Sequence, residues 1–117
     1  MNILDSIGNT PLAVEPDESA VLSGHVPGSH NIEGIGIGFV PPLWEGDKAQ
    51  EIMTVSTQEA KAMARRLARE EGIFAGTSSG ANVVAALRIA GKLGSQATVA
   101  TLIVDSGQRY VSTDLSR

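Results

Sequence analysis

Three features of the chain predict an α/β fold with a small, mostly parallel sheet flanked by helices. Glu51-Ile52-Met53-Thr54-Val55 is a short β-prone run that passes through Ser56 into a helical pattern. A second helical pattern follows directly and leads to Thr98-Val99-Ala100-Thr101-Leu102-Ile103-Val104. That run is nearly all apolar, as expected of a strand buried on both faces of a parallel sheet. Strand, helix, helix, strand is an α/β order, and its crossover should be right-handed.

The chain is organised around Glu70–Asn82, where one helix ends, the backbone crosses a short apolar rise and another helix begins. Gly72 suits the position just past a helix, because the left-handed conformation found there carries no Cβ penalty for glycine. Ser78 and Ser79 are expected as N-caps of the following helix, since a serine oxygen accepts from the orphan N–H groups of a first turn. Glycines and serines of this kind can simply build a tight connection. A helix N-terminus approached through glycines also offers donors to an anion or a polarised ring.

Taken in order, Ile7-Gly8-Asn9-Thr10-Pro11-Leu12 reads as a turn entering an extended segment, because Pro11 disfavours the helical region for Thr10. Ala13-Val14-Glu15-Pro16 is a very short strand that Pro16 must end. Asp17 or Ser19 is expected to cap a brief helix through Ala20-Val21-Leu22. Residues 23–49 are crowded with glycine and proline and should form one long loop, pinned over the core by Ile32, Ile35 and Ile37. Ser56-Thr57-Gln58-Glu59 matches the S-x-x-E capping box. Ala60, Met63, Ala64, Leu67 and Ala68 then lie on one helical face, with Arg65, Arg66 and Arg69 on or near the solvated one. Ala81–Leu93, rich in alanine and valine and stopped by Gly94, should be a largely buried helix. The tail Asp105-Ser106-Gly107-Gln108-Arg109-Tyr110 follows the carboxyl end of the last expected strand, where ligands gather in open α/β sheets.

Composition narrows the function. One domain of 117 residues can bury a single core, and with aromatics limited to Phe39, Trp44, Phe74 and Tyr110 that core must be aliphatic. Nine basic against thirteen acidic residues give a net charge of −4, and no basic stripe interleaves with aromatics, so nucleic acid is not an expected partner. Without cysteine there is no disulfide, thiolate metal site or cysteine nucleophile. Neither a leader pattern nor a membrane-length apolar run is present, and a cytoplasmic setting is expected.

Several motifs occur together in an order and spacing that resemble the cysteine synthases. They are Val14-Glu15-Pro16, Leu22-Ser23-Gly24, Pro27-Gly28-Ser29-His30-Asn31-Ile32-Glu33-Gly34-Ile35-Gly36, Glu71-Gly72-Ile73, Gly76-Thr77-Ser78-Ser79-Gly80-Ala81 and Asp105–Tyr110. These O-acetylserine sulfhydrylases are pyridoxal-phosphate enzymes of fold type II, to which cystathionine β-synthase is related. Ile7–Leu12 looks like the family's opening motif. The resemblance divides the chain into a motif segment, 1–12, and a single α/β domain, 13–117. It implies a partial fold type II architecture, pyridoxal phosphate as cofactor, an amino-acid substrate and a homodimer. By resemblance Ser78 hydrogen-bonds the cofactor's pyridine nitrogen, a hydroxyl partner that suits β-replacement, and Gly34 and Gly36 border the substrate.

The same resemblance shows what is missing. The family's large middle region lies between its opening motif and the Val-Glu-Pro strand, whereas here Leu12 runs almost directly into Val14. The Schiff-base lysine, the substrate-carboxylate loop and the phosphate loop belong to that region, and Lys48, Lys61 and Lys92 match no lysine motif. Val104 stands where proline is usual, and Asn31 where a basic residue is common. The resemblance therefore implies cysteine synthase chemistry by family and catalytic incompleteness in this chain, with no catalytic residue assigned. The alternative is a non-catalytic α/β domain that associates with itself or a partner, since removing most of a sheet uncovers edges and faces. Two other readings carry less. Gly76–Gly80 satisfies G-x-S-x-G, yet both histidines precede the serine and only Ile73-Phe74-Ala75 could be the required strand. His25, His30 and Glu33 share a loop, where local hydrogen bonding is the simpler use, and no metal is expected.

Overall fold

In the computed structural model, residues 12–44 and 51–110 are described. Two strands, β1 (Leu12–Pro16) and β2 (Glu51–Val55), pair in parallel with Leu12 opposite Glu51 and Pro16 opposite Val55. Pro16 has no N–H to offer a ladder and stands at the strand's last position. Met53 and Val55 are buried while Ile52 and Thr54 are half-buried, the alternation of a pleated strand against one core. Leu12 of the expected 1–12 segment opens β1; residues 1–11 lie outside the described residues.

Helix α1 (Thr57–Glu71) starts at the predicted capping box: Glu59 N–H donates to Ser56 Oγ at 3.1 Å, and Ser56 N–H donates to Glu59 Oε1 at 3.4 Å. Its end is equally local, with Gly72 at φ 68 and the Ile73 N–H returning to the Leu67 carbonyl at 3.0 Å. Helix α2 (Thr77–Leu93) packs across α1. A Cβ on Gly80 would lie 2.2 Å from the Ala60 carbonyl oxygen, so glycine permits that approach. Ile32, Met53, Val55, Ala60, Ala81, Val84 and Ala85 form the core beneath both helices. Arg88 joins the layers: Nη1 donates to the Thr54 carbonyl at 2.7 Å, and Nη2 pairs with Glu59.

The structure corrects several expectations. Helix α2 begins at Thr77, four residues before Ala81, and its N-cap is Gly76; Ser78 and Ser79 lie inside its first turn and cap nothing. Its first half is buried, but Leu87 and Leu93 are exposed, because the two-stranded sheet is too narrow to cover the whole helix. Thr98–Val104 forms no strand; Leu102, Ile103 and Val104 are 71%, 43% and 56% exposed. Among the described residues no strand flanks it, and an apolar run cannot be a central strand without ladder partners. The brief helix expected near Ala20 is two 3₁₀ turns, Asp17–Ser19 and Val21–Ser23, neither with a side-chain cap. Of the isoleucines expected to pin the long loop, Ile32 is wholly buried and Ile35 packs on the core, while Ile37 is exposed. Among the described residues no helix is long and apolar enough to cross a membrane.

Candidate functional site

The site is built where the α1–α2 connection meets the returning tail. Gly76 in extended backbone turns the chain into α2, and Ala75 through Ala81 are all buried. Such a helix start leaves its first N–H groups without helical partners. One need is met by a residue far along the chain: Asp105 Oδ1 accepts from the Gly76 N–H at 3.0 Å and from Ser79 Oγ at 2.7 Å. Ser79 Oγ in turn accepts the Val104 N–H at 3.0 Å. The tail is further held by Asn82 Nδ2 donating to the Leu102 carbonyl at 3.2 Å and by the Gly107 N–H donating to the Phe74 carbonyl at 2.9 Å. A Cβ on Gly107 would come within 2.4 Å of the Phe74 ring, so the tail lies directly against that ring.

Ser78 differs from Ser79. Its residue surface is only 8% exposed, yet its hydroxyl has no hydrogen-bond partner among the described residues. Among the described residues no buried side-chain oxygen or nitrogen lacks a partner, so the Ser78 oxygen reaches the molecular surface, where a ligand can meet it.

The long loop forms a second part of the candidate site. Glu15, buried in β1, accepts from the Leu22 N–H at 2.8 Å and from Ser23 Oγ at 2.6 Å, which fixes the 3₁₀ turns after the strand. Ser19 Oγ accepts the Gly28 N–H at 3.2 Å. His30 closes the next turn: Nδ1 accepts the Ile32 N–H at 3.1 Å, leaving Nε2 to donate to the Gly36 carbonyl at 2.7 Å. Both ring nitrogens are committed to backbone. Among the described residues no three of His, Cys, Asp and Glu group as a metal site. Gly36 has φ +63, and a Cβ there would meet His30 Nε2 at 2.5 Å and Pro16 Cγ at 2.6 Å. Gly34, at φ +90, faces open space. Among the described residues no hydrogen bond joins this glycine loop to Ser78.

The loop is tied to the α1 N-terminus. The Thr57 N–H donates to both carboxylate oxygens of Glu18, at 3.0 and 2.8 Å, and Thr57 Oγ1 accepts the Asn31 N–H at 3.1 Å. Partial burial opposes ionisation of Glu18, but the Thr57 backbone N–H, with help from the Thr57 hydroxyl and the nearby His30, outweighs it and lowers its pKa. Glu59 behaves alike: burial works against its charge, and hydrogen bonds from Arg88 and Ser56 prevail to lower its pKa.

A family profile described as pyridoxal-phosphate dependent enzyme matches residues 5–105. The chain belongs to this family. It is 45% identical over 104 residues to a cysteine synthase of Staphylococcus aureus, covering 89% of this chain and 34% of that one. A probable cysteine synthase of Bacillus subtilis is 46% identical over 102 residues, or 87% and 33% of the two chains. Among solved structures, O-acetyl serine sulfhydrylase isoform 3 from Entamoeba histolytica aligns at TM-score 0.91 and 44% identity, over 96% of this chain and 34% of that one. The O-acetylserine dependent cystathionine β-synthase from Helicobacter pylori aligns at TM-score 0.83 and 40% identity, over 91% and 34%. The α/β unit is thus part of a fold type II architecture, and the chain spans about a third of the length of these relatives.

The donor set fits one end of the cofactor that names the family. A neutral hydroxyl at a helix start, open at the surface and not hydrogen-bonded among the described residues, is suited to a pyridine nitrogen. The covalent anchor is another matter. Among the described residues the lysines are Lys61, on α1 and already engaged with a neighbour, and Lys92. Lys92 pairs with Glu51 at 3.4 Å, 14 residues from Ser78 and so about 20 Å further along α2. Lys48 lies outside the described residues.

The tie from Asp105 to Gly76 and Ser79 was not legible in sequence. Its one signal is an acidic residue directly after an apolar run, which does not reveal the helix that the carboxylate serves.

Proposed function

We propose that residues 12–44 and 51–110 contribute the ring-facing wall of a cysteine synthase-type site. Ser78 would hold the pyridine nitrogen of pyridoxal phosphate, and the loop through Gly34 and Gly36 would border an amino-acid substrate. The reading is carried by the contrast at the α2 start, where the Ser79 hydroxyl is bonded at both ends, to Asp105 and to the Val104 N–H, and the Ser78 hydroxyl reaches the surface with no hydrogen bond among the described residues. Bound pyridoxal phosphate supplies the electron-withdrawing ring on which an amino acid exchanges its β-substituent. A hydroxyl partner leaves the ring nitrogen unprotonated, in keeping with replacement of the acetate of O-acetylserine by sulfide to give cysteine. The chain is incomplete for that reaction, because none of Lys48, Lys61 and Lys92 stands in the family's lysine motif and an amine nucleophile needs a desolvating or cationic setting.

The test combines pyridoxal phosphate titration, followed at the Ser78–Gly80 amides, with borohydride reduction, peptide mapping and an assay for cysteine formation. Expected are a saturable perturbation at Ser78 that Ser78→Ala removes, no stoichiometric adduct on any one lysine, and no cysteine. Unperturbed Ser78–Gly80 amides would refute the ring site. A single-lysine adduct with turnover would refute incompleteness.

A second reading, a non-catalytic unit that associates with itself, is favoured by the exposure of the consecutive apolar residues Leu102, Ile103 and Val104. A cytoplasmic homodimer is the form it implies. Sedimentation showing a monomer at every concentration would remove it.

A further inference from the structure

We propose that Asp105 is the positioning residue of this site: it caps α2 from outside the helix and commits Ser79, leaving Ser78 the one hydroxyl of the pair available to a ring. The consequence for the ring rests on the function proposed above, whereas the clamp itself does not.

Helix α2 has no capping side chain of its own, because its N-cap is a glycine. The missing acceptor is the carboxylate of Asp105, which reaches the Gly76 N–H and the Ser79 hydroxyl across 29 and 26 residues of sequence. A negative charge there also complements the positive end of the helix dipole. Ser79 has a single proton, and Asp105 takes it. That turns the Ser79 oxygen toward the Val104 N–H, and the side chain, wholly buried, is fixed at both ends. Without Asp105 the Ser79 proton would be free to seek another acceptor, and two adjacent hydroxyls would compete for one ring nitrogen. The clamp also docks the tail. Residues 98–104 have no sheet ladder, so the Asp105 bonds, the Asn82–Leu102 bond and the Gly107–Phe74 bond hold them in place.

Amide hydrogen exchange at Gly76 and Val104, in the whole chain, tests the clamp. In Asp105→Ala both amides should exchange roughly tenfold faster or more, as expected on losing a cap and a charge-assisted hydrogen bond. The Ile73 amide, bonded to Leu67, should stay protected. Asp105→Asn keeps an acceptor oxygen and should restore protection at Gly76, a rescue that general destabilisation would not show. Should Asp105→Ala fail to fold, Ser79→Ala carries the test, with Val104 losing protection and Gly76 keeping it. Ser78→Ala should leave both amides as in the parent while abolishing the response to pyridoxal phosphate. Unchanged exchange at Gly76 and Val104 in Asp105→Ala, or equal loss in Ser78→Ala, would overturn the proposal. If the parent chain shows no response to pyridoxal phosphate, the ring reading fails and the exchange contrast still decides the clamp.

Discussion

Replacing Gly80 by alanine places one methyl group where α2 crosses α1. The new Cβ would lie 2.2 Å from the Ala60 carbonyl oxygen and 3.0 Å from the Ala64 nitrogen, both backbone atoms, where ordinary contact begins at 3.4 Å. Backbone in a capped helix cannot rotate away as a side chain would, so the helices must separate by roughly 1 Å at the crossing. A gap of that size forfeits a quarter to a half of the attraction of each contact it opens. The affected neighbours, Ala60, Ala81, Val84 and Ala85, are core residues. Overpacking of this kind costs about 1–3 kcal/mol, and alanine returns up to about 1 kcal/mol through its better helix propensity. The net loss should be about 1–2 kcal/mol, a large share of the stability of a small domain. Urea unfolding followed by far-UV circular dichroism should show the midpoint falling by roughly 1 M with unchanged slope. Gly91→Ala is the internal control: the same exchange on the same helix, with nothing within 4 Å of the new Cβ, should stabilise by up to about 1 kcal/mol. If Gly80→Ala is as stable as the parent, or if Gly91→Ala loses as much, the close crossing is not what requires glycine.

Other consequences are equally direct. Gly36→Ala combines a positive φ with overlap on His30 and Pro16 and should cost about 2 kcal/mol or more, with loss of protection at the Ile32 amide, whereas Gly34→Ala bears the backbone strain alone, about 1 kcal/mol; thermal unfolding of the pair separates the two terms. Glu18 and Glu59 have lowered folded-state pKa values, so their stabilisation is present above the unfolded value of about 4.3 and is lost as pH falls through the lower folded one. Glu18→Gln and Glu59→Gln should therefore flatten the acid limb of the stability profile, each lowering stability at neutral pH by less than about 1 kcal/mol because both carboxylates are exposed. Leu102→Lys should change stability by no more than about 0.5 kcal/mol; a loss of several kcal/mol in urea unfolding would show that residues 98–104 are buried.

Legibility followed the range of the interactions. The capping box at Ser56–Glu59, the left-handed Gly72 and the bounds of β2 were readable because each depends on residues within a few positions of one another. For α1 most of the apolar face was also readable, since a period of 3.6 needs only the helix itself: Ala60, Ala64 and Leu67 are buried and Met63 is half-buried, whereas Ala68 is exposed. At 98–104 the same style of reasoning failed. Seven apolar-rich residues state that a strand is possible, but a strand exists only when backbone partners stand beside it, and none is present among the described residues.

By itself, then, the sequence determined the short-range elements and, through motifs kept in order, the family. By resemblance it also pointed to Ser78, Gly34 and Gly36 as candidates to meet cofactor and substrate. What only the tertiary structure decided is which long-range partners engage Ser79 and leave Ser78 without a hydrogen bond among the described residues. Ser78 and Ser79 are chemically identical in sequence, and local preference assigns both to capping. The distinction comes from Asp105 and Val104, 25 to 29 residues away from the groups they bind, and it appears only when the tail folds back on the helix start. A hydrogen bond is specific because it is short and directional, so long-range partners cannot be read until the fold brings them within 3 Å or so of each other.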